Sequence, residues 1–308
     1  MTAQTTPACL IDASIYIFRY YFSLPDNWHS EEGYATSAVY GYTSFLLNLL
    51  EHVRPELAAA CYDESLGSCF RNDIYADYKC SRALPDEELA FQLTACREVA
   101  ELLGLACFGS KRYEADDLLG TLSKLLSDAP SPVALITRDK DLGQLLAREQ
   151  DFLWHPEFKP RTGSDTGERL YRPDLAAKFG VQPEQMADYL ALVGDAIDDI
   201  PGVPGLGPKT AQALLGAYAD IDSIFANHGS LHQLPIRGAK SLAAKLLEYR
   251  QQIGMARQLA TITVDVPLAI GVADLRVRAP DMDGLANFCE RMGLGRLIKR
   301  AETALGHS

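Results

Sequence analysis

Val133-Ala-Leu-Ile-Thr-Arg-Asp-Lys-Asp141 is an apolar run that breaks off into charge. Its first four residues suit a strand buried on both faces, as in a parallel sheet. Asp139 and Asp141 then fall at the junction with the following helix, the edge along which open α/β sheets bind ligands. The pattern recurs. Ala8-Cys-Leu-Ile-Asp12 and Glu56-Leu-Ala-Ala-Ala-Cys-Tyr-Asp63 are further apolar runs closed by an aspartate, and residues 105–108 and 151–154 read as two more strands. After residues 105–108 comes Tyr113-Glu114-Ala115-Asp116-Asp117 at a helix start. The helix dipole favours one or two acids in a first turn, but a third beside an apolar face is costly unless cations neutralise it. A parallel sheet gathers Asp12, Asp63, Glu114, Asp116, Asp117, Asp139 and Asp141 along one edge, where they repel one another. Divalent metals resolve that repulsion, and oxygen ligands without His or Cys select Mg²⁺ or Mn²⁺.

A second stretch, Leu192 to Ala211, joins two chemistries. Asp195 and Asp198 are three apart at the end of an apolar helical run, so both can serve one hard cation. Gly202, Gly205 and Gly207 then free backbone N–H groups just before Pro208 opens a helix carrying Lys209 and Thr210, which makes a phosphate cradle. A nucleotide P-loop needs a strand before its first glycine, and Asp-Asp-Ile-Pro stands there instead. An ordinary Gly/Pro turn between helices is the plain alternative. Helix, hairpin and helix N-terminus together can hold a nucleic-acid backbone without reading its sequence.

The chain of 308 residues, 47% of them hydrophobic, can build one large domain or two. No apolar run is long enough to span a membrane and the first residues do not read as a signal peptide, so a cytoplasmic location is expected. Seven cysteines without a C-x-x-C pair and six scattered histidines argue against a disulfide framework, a zinc site or a catalytic triad. Net charge is −12, unevenly spread: residues 1–224 carry −16 and residues 225–308 carry +4. The acidic part reaches phosphates only through cations, whereas the basic end can grip a polyanion directly.

Helices are expected over 36–53 and 86–103, and then over 173–179, 183–193, 208–218, 240–249, 286–292 and 295–301. Residues 65–104 form a basic, aromatic insertion between two strands, long enough for an arch or lid over the strand mouths; a pair of surface helices is the alternative. Trp28, Trp154 and His155 are read as packing or surface residues.

Tyr78-Lys-Cys-Ser-Arg82, Tyr113-Glu-Ala-Asp-Asp117, Asp139-Lys-Asp141 and Gly194-Asp-Ala-Ile-Asp-Asp-Ile-Pro-Gly-Val-Pro-Gly-Leu-Gly-Pro-Lys-Thr210, in that order, resemble the bacterial 5′-to-3′ exonuclease and flap endonuclease family. This family occurs as stand-alone enzymes and at the N-terminus of DNA polymerase I. The resemblance implies an α/β fold: a PIN-like (resolvase-like) parallel sheet flanked by helices over residues 7–172, with a helical arch at 65–104. An all-helical, SAM-like helix-three-turn-helix region and a basic end follow over residues 173–308. It makes Asp12, Asp63, Glu114, Asp116, Asp117, Asp139 and Asp141 metal ligands, with Asp195 and Asp198 completing a second site. Two Mg²⁺ ions, replaceable by Mn²⁺, would hydrolyse DNA at 5′ ends, nicks and flaps and leave 5′ phosphates, with RNA–DNA hybrids as a further substrate.

Lys79 and Arg82 take the catalytic arch positions near the scissile phosphate. Tyr78 matches an aromatic for base stacking, and Arg19 and Arg71 match basic DNA-binding positions. Gly202, Gly205, Gly207, Lys209 and Thr210 match the duplex-binding hairpin, in which a K⁺ ion is implied. Arg138 departs from the glycine usual before Asp-Lys-Asp and is expected to narrow the metal pocket. Asp199 departs from the usual asparagine and is expected to alter metal affinity. A DNA-junction binder with weak or no catalysis and a PIN-like RNA nuclease are the rival readings.

Overall fold

The structure is a computed structural model that describes residues 6–65, 67–159, 164–236 and 238–306. Among these, β1 (Ala8–Asp12), β2 (Ala58–Asp63), β3 (Ala106–Ser110), β4 (Val133–Ile136), β5 (Phe152–His155) and β6 (Glu168–Leu170) form one sheet in the order β3-β2-β1-β4-β5-β6. The first five pair in parallel, and β6 runs antiparallel to β5 at the edge. Strand order reverses between β1 and β4, so the chain leaves these two strands toward opposite sides and opens a crevice at their C-terminal ends. Asp12 and Asp63 lie at that end of the sheet, and Thr137 to Asp139 follow β4 directly.

One face of the sheet is covered by α1 (Ala13–Ser23) and α2 (Ser37–His52), the latter contributing Tyr42, Leu46, Leu47 and Leu49 to the core. The one-turn α3 (Arg71–Ile74) precedes α4 (Glu87–Leu102), whose start is capped by Asp86 accepting the Leu89 N–H at 2.8 Å. The other face is covered by α5 (Ala115–Leu125), a 3₁₀ turn at Asp141–Leu145 and the returning residues Ile262, Val266 and Leu275. A second core lies among α6 (Arg172–Phe179), α7 (Met186–Val193), α8 (Pro208–Ala217), α9 (Ile221–Ala226), α10 (Ala239–Glu248) and α11 (Arg250–Ala260), built mainly from α7, α8, α10 and α11. No helix among the described residues is long and apolar enough to cross a membrane.

Two expectations of domain layout fail here. The arch predicted over 65–104 does not include α4, because Ala95, Cys96, Val99 and Ala100 pack into the sheet's core beside α2. Among the described residues between β2 and α4, α3 supplies the single helical turn, and Lys79 and Arg82 of this segment reach the strand mouths. The basic end also leaves the helical unit. Helices α12 (Met282–Arg291) and α13 (Arg296–Leu305) return to the sheet domain, burying Leu285, Phe288, Leu297 and Ala301 against its core. Arg291 pairs there with Glu98, and Arg300 with Glu51 and Asn48. The charges read as a polyanion grip are therefore partly engaged within the chain.

Candidate functional site

The site begins where β1, β2 and β4 end. Asp12 is buried; its Oδ2 accepts the Thr137 hydroxyl at 2.9 Å, and its Oδ1 receives a long bond of 3.4 Å from the Ile15 N–H. Thr137 Oγ1 accepts the Asp139 N–H at 2.9 Å, and Asp139 Oδ1 accepts the Asp141 N–H at 2.8 Å. This relay folds the segment after β4 against the end of β1. The Asp63 N–H donates to Ser14 Oγ at 2.9 Å, and Ser65 Oγ donates to Asp63 Oδ1 at 2.8 Å. Glu114 opens α5, its N–H held at 3.0 Å by Asp117 Oδ2.

Asp12, Asp63, Glu114, Asp116 and Asp139 line one cleft of about 380 Å³ with Lys79, Arg82, Arg138 and Lys140. Burial penalises the charged form of these acids. It pushes Asp12 up to about 7, with Asp139 and Asp63 adding repulsion against the Thr137 hydrogen bond. Burial, then Asp139 and Asp12, hold Asp116 well above the usual carboxylate range, and burial with Glu114 raises Asp63. At the margin Asp141 is pushed up to about 7 by burial and then Asp139. Glu114 differs: burial raises it, but Lys79 and Arg71 outweigh burial and hold it below its ordinary value.

Two cations balance part of this charge. Lys79 Nζ lies 2.5 Å from Glu114 Oε1 and 3.5 Å from Asp198 Oδ2, and Arg82 Nη2 lies 2.5 Å from Asp198 Oδ1. The Lys79 backbone takes φ 53°, uncommon for a lysine, and its N–H donates to the Asp198 carbonyl at 3.1 Å. Burial works against the charge on Lys79, yet Glu114 and Asp198 raise its pKa. Paired in this way, Lys79 is held as an ammonium that can neutralise an anion.

The predicted residues divide by position. Asp141 and Asp195 flank Lys140, whose Nζ stands 3.4 and 3.7 Å from them, and Asp198 sits on the Lys79 and Arg82 side. Asp117 is a correction. It is fully buried, and its oxygens take two bonds of 2.8 Å from Arg71 and the N–H groups of Glu114 and Thr263, which leaves no ligating edge. Arg71 is likewise withdrawn from DNA: it is 2% exposed and spends its remaining donors on Glu114 and the Leu259 and Thr261 carbonyls. Tyr78 is buried against the helical unit, with its hydroxyl donating to Glu114 Oε2 at 2.9 Å, so no ring face is open to a base. Asp199 accepts the Ser81 N–H at 2.9 Å and so ties the 195–200 hairpin to the Lys79 loop; it does not line the cleft.

Among the described residues no three carboxylate, imidazole or thiol groups converge tightly enough to chelate one ion. Glu114 and Asp198 are instead drawn toward Lys79 and Arg82. The donor set nevertheless fits a hard divalent cation: it is all oxygen, largely buried and mutually repulsive.

In the hairpin, Gly202 has no room for a side chain, since a Cβ would lie 2.2 Å from the Val193 carbonyl oxygen. Gly205 takes φ 72°, and Gly207, at the start of α8, faces open space beside exposed Lys209 and half-buried Thr210. The Gly202 carbonyl accepts from Gln252 Nε2 and the Pro204 carbonyl from Lys245 Nζ, both at 2.9 Å.

His155, left unassigned by the sequence reading, stands at the end of β5 between two arginines. Arg138 Nε donates to its Nε2 at 2.7 Å, Arg19 Nη1 lies 3.3 Å from the same nitrogen, and the Tyr16 hydroxyl lies 3.1 Å from Nδ1. Burial first, then Arg138 and Arg19, push the imidazole down to about 4. Arg138 thus turns toward His155 while still lining the carboxylate cleft.

A largely parallel sheet with acids at its mouth, followed by a helical unit with a glycine hairpin between α7 and α8, defines a nuclease-type architecture. The chain belongs to the 5′-3′ exonuclease family: residues 7–179 match its N-terminal resolvase-like domain and residues 181–283 its C-terminal SAM fold. It is 30% identical to the 5′-3′ exonuclease of Buchnera aphidicola over 284 residues, covering 92% of this chain and 95% of that protein. It is 37% identical to DNA polymerase I of Pseudomonas aeruginosa over 280 residues, covering 91% of this chain but only 30% of the polymerase. Two solved structures share the fold. T5 5′-exonuclease with bound divalent zinc has a TM-score of 0.64 at 19% identity, covering 97% of this chain and 98% of that one. The catalytic core of Rad2 in complex with DNA substrate has a TM-score of 0.60 at 17% identity, covering 98% and 92%.

Proposed function

We propose that this chain hydrolyses DNA phosphodiester bonds at 5′ ends, nicks and flaps and leaves 5′ phosphates. The observation that carries the reading is the cleft in which Asp12, Asp63, Glu114, Asp116 and Asp139 face the cationic side chains of Lys79 and Arg82. The five acids would hold divalent cations, Mg²⁺ or in its place Mn²⁺, with Asp141, Asp195 and Asp198 contributing from the margin. Bound there, such cations supply Lewis acidity and an acidified water for in-line displacement. The chain's own residues do the rest. Lys79 and Arg82 orient the scissile phosphate and neutralise charge that grows on it. Gly207, Lys209 and Thr210 offer N–H groups, a cation and a hydroxyl to duplex backbone, a contact blind to sequence. A K⁺ ion held by the hairpin carbonyls would displace the Lys245 ammonium from the Pro204 carbonyl or use the carbonyls beside it.

Matched 5′-flap duplexes with DNA or RNA flaps, labelled at the 3′ end, test the substrate. Metal-dependent cutting of the DNA flap near its junction, with a 5′-phosphate product, supports the proposal; cleavage of RNA alone, or binding without cleavage, overturns it.

A further inference from the structure

The carboxylate cleft does not end at Asp139. Arg138, Asp139 and Lys140 also line a neighbouring cavity of about 250 Å³, walled by Trp154, His155 and Glu168 of the sheet edge and by Phe179. Where the two meet, Arg138 and Arg19 both approach one nitrogen of His155. Arg138 Nε also lies 3.1 Å from Nδ1, so both ring nitrogens face a guanidinium donor and the ring is neutral. A neutral ring cannot balance two guanidinium charges. The carboxylates nearby do so weakly: Glu157 is 3.8 Å from Arg138 and more than half exposed, and Glu168 lies across the cavity. Arg82, by contrast, has a carboxylate at 2.5 Å, and Arg71 one at 2.8 Å. Arg138 and Arg19 are both exposed and retain N–H donors that His155 does not use.

We propose that Arg138, together with Arg19 and backed by His155, forms a phosphate-binding subsite for the nucleic-acid backbone beside the carboxylate cleft, on the β5 side. The inference rests on the proposed nuclease function and assigns it a further contact. Arg138 precedes Asp139 in the same turn, so a phosphate held there lies in fixed register with the cleft. The ligand is a phosphate oxyanion, either an internal phosphodiester or a terminal 5′ monoester.

The test is fluorescence anisotropy of a 5′-flap duplex bound by the parent chain, R138G and R138E in EDTA, which separates binding from turnover. It is run at several salt concentrations with 5′-phosphorylated and 5′-hydroxyl flaps. R138G is expected to weaken binding about three- to tenfold and to lower the salt slope by about one, with R138E weaker still. Loss with both flaps identifies an internal phosphodiester; loss with the phosphorylated flap alone identifies the terminal group. Arg276→Ala, at an exposed arginine paired with Glu56 elsewhere, should bind like the parent and control for net charge. Parent-like affinity and slope in both Arg138 variants overturn the subsite. If the parent itself binds no flap, the nuclease reading fails. Thermal shift with inorganic phosphate then decides the subsite alone: stabilisation of the parent but not R138G upholds it, and no difference overturns it.

Discussion

Replacing Arg71 by methionine tests whether a buried charge network holds the two units together. Arg71 donates at 2.8 Å to each oxygen of Asp117, at 3.0 Å to Glu114, and at 2.8 and 2.9 Å to the carbonyls of Leu259 and Thr261, where α11 ends. Methionine fills much of the volume but removes every donor. Asp117 keeps two backbone N–H groups and Glu114 keeps Lys79 and Tyr78, so neither acid is abandoned entirely. Breaking a buried pair by removing one partner costs about 3–5 kcal/mol. Each carbonyl left dry adds about 1–3 kcal/mol. Protonation of Asp117 and entry of water limit the sum, and we expect about 4–6 kcal/mol, a large part of a typical domain's stability. Urea unfolding of the parent, R71M and R71M/D117L measures it. The double variant removes the uncompensated carboxylate but leaves the Glu114 and Thr263 N–H groups without their acceptor, so it should regain only part of the loss. A loss below about 1 kcal/mol in R71M would refute the reasoning.

Asp12 and Asp141 ionise near 7 in the fold against an ordinary value of 3.8. The folded state therefore binds more protons across that window, so metal-free stability falls as pH rises from about 4 through 7. Melts in EDTA should show Tm dropping over this range, with Mg²⁺ restoring most at pH 8 and least at pH 5.5. Lys79→Ala should lower single-turnover cleavage about 10²–10³-fold while flap binding weakens far less, because its charge acts on the transition state. Gly202→Ala should cost more than about 2 kcal/mol by thermal melt, as its Cβ meets the Val193 carbonyl. Gly207→Ala, in open space, should leave Tm nearly unchanged and weaken duplex binding instead.

Much of the fold was legible because short apolar runs ending in acids have few alternatives. The first strand was read to its ends, and α2 and α4 to within a residue. The role of α4 was misread: its apolar residues at 95, 96, 99 and 100 carried the packing signal, but the basic and aromatic residues ahead of it drew it into an arch. The last third was misassigned in the same way, since net charge hides the stripe of Leu297, Ala301 and Ala304 that anchors α13. Arg71 and Asp117 look like a surface base and a cleft acid in one dimension. Their burial depends on Leu259, Thr261 and Thr263, far along the chain, and no local pattern reports that. His155 enters the site only because β5 lies beside β4, a pairing set by the topology. The edge strand β6, three residues long, is too short to show alternation.

The central claim is that the carboxylate cleft binds divalent cations that cut DNA. The most direct measurement compares the parent and Asp139→Ala on a 3′-labelled 5′-flap duplex with Mg²⁺, Mn²⁺ or EDTA, with flap affinity measured alongside. The account expects cation-dependent cutting by the parent, none in EDTA, and loss of cutting but not of binding in Asp139→Ala. Cutting that persists in EDTA or in Asp139→Ala would contradict it.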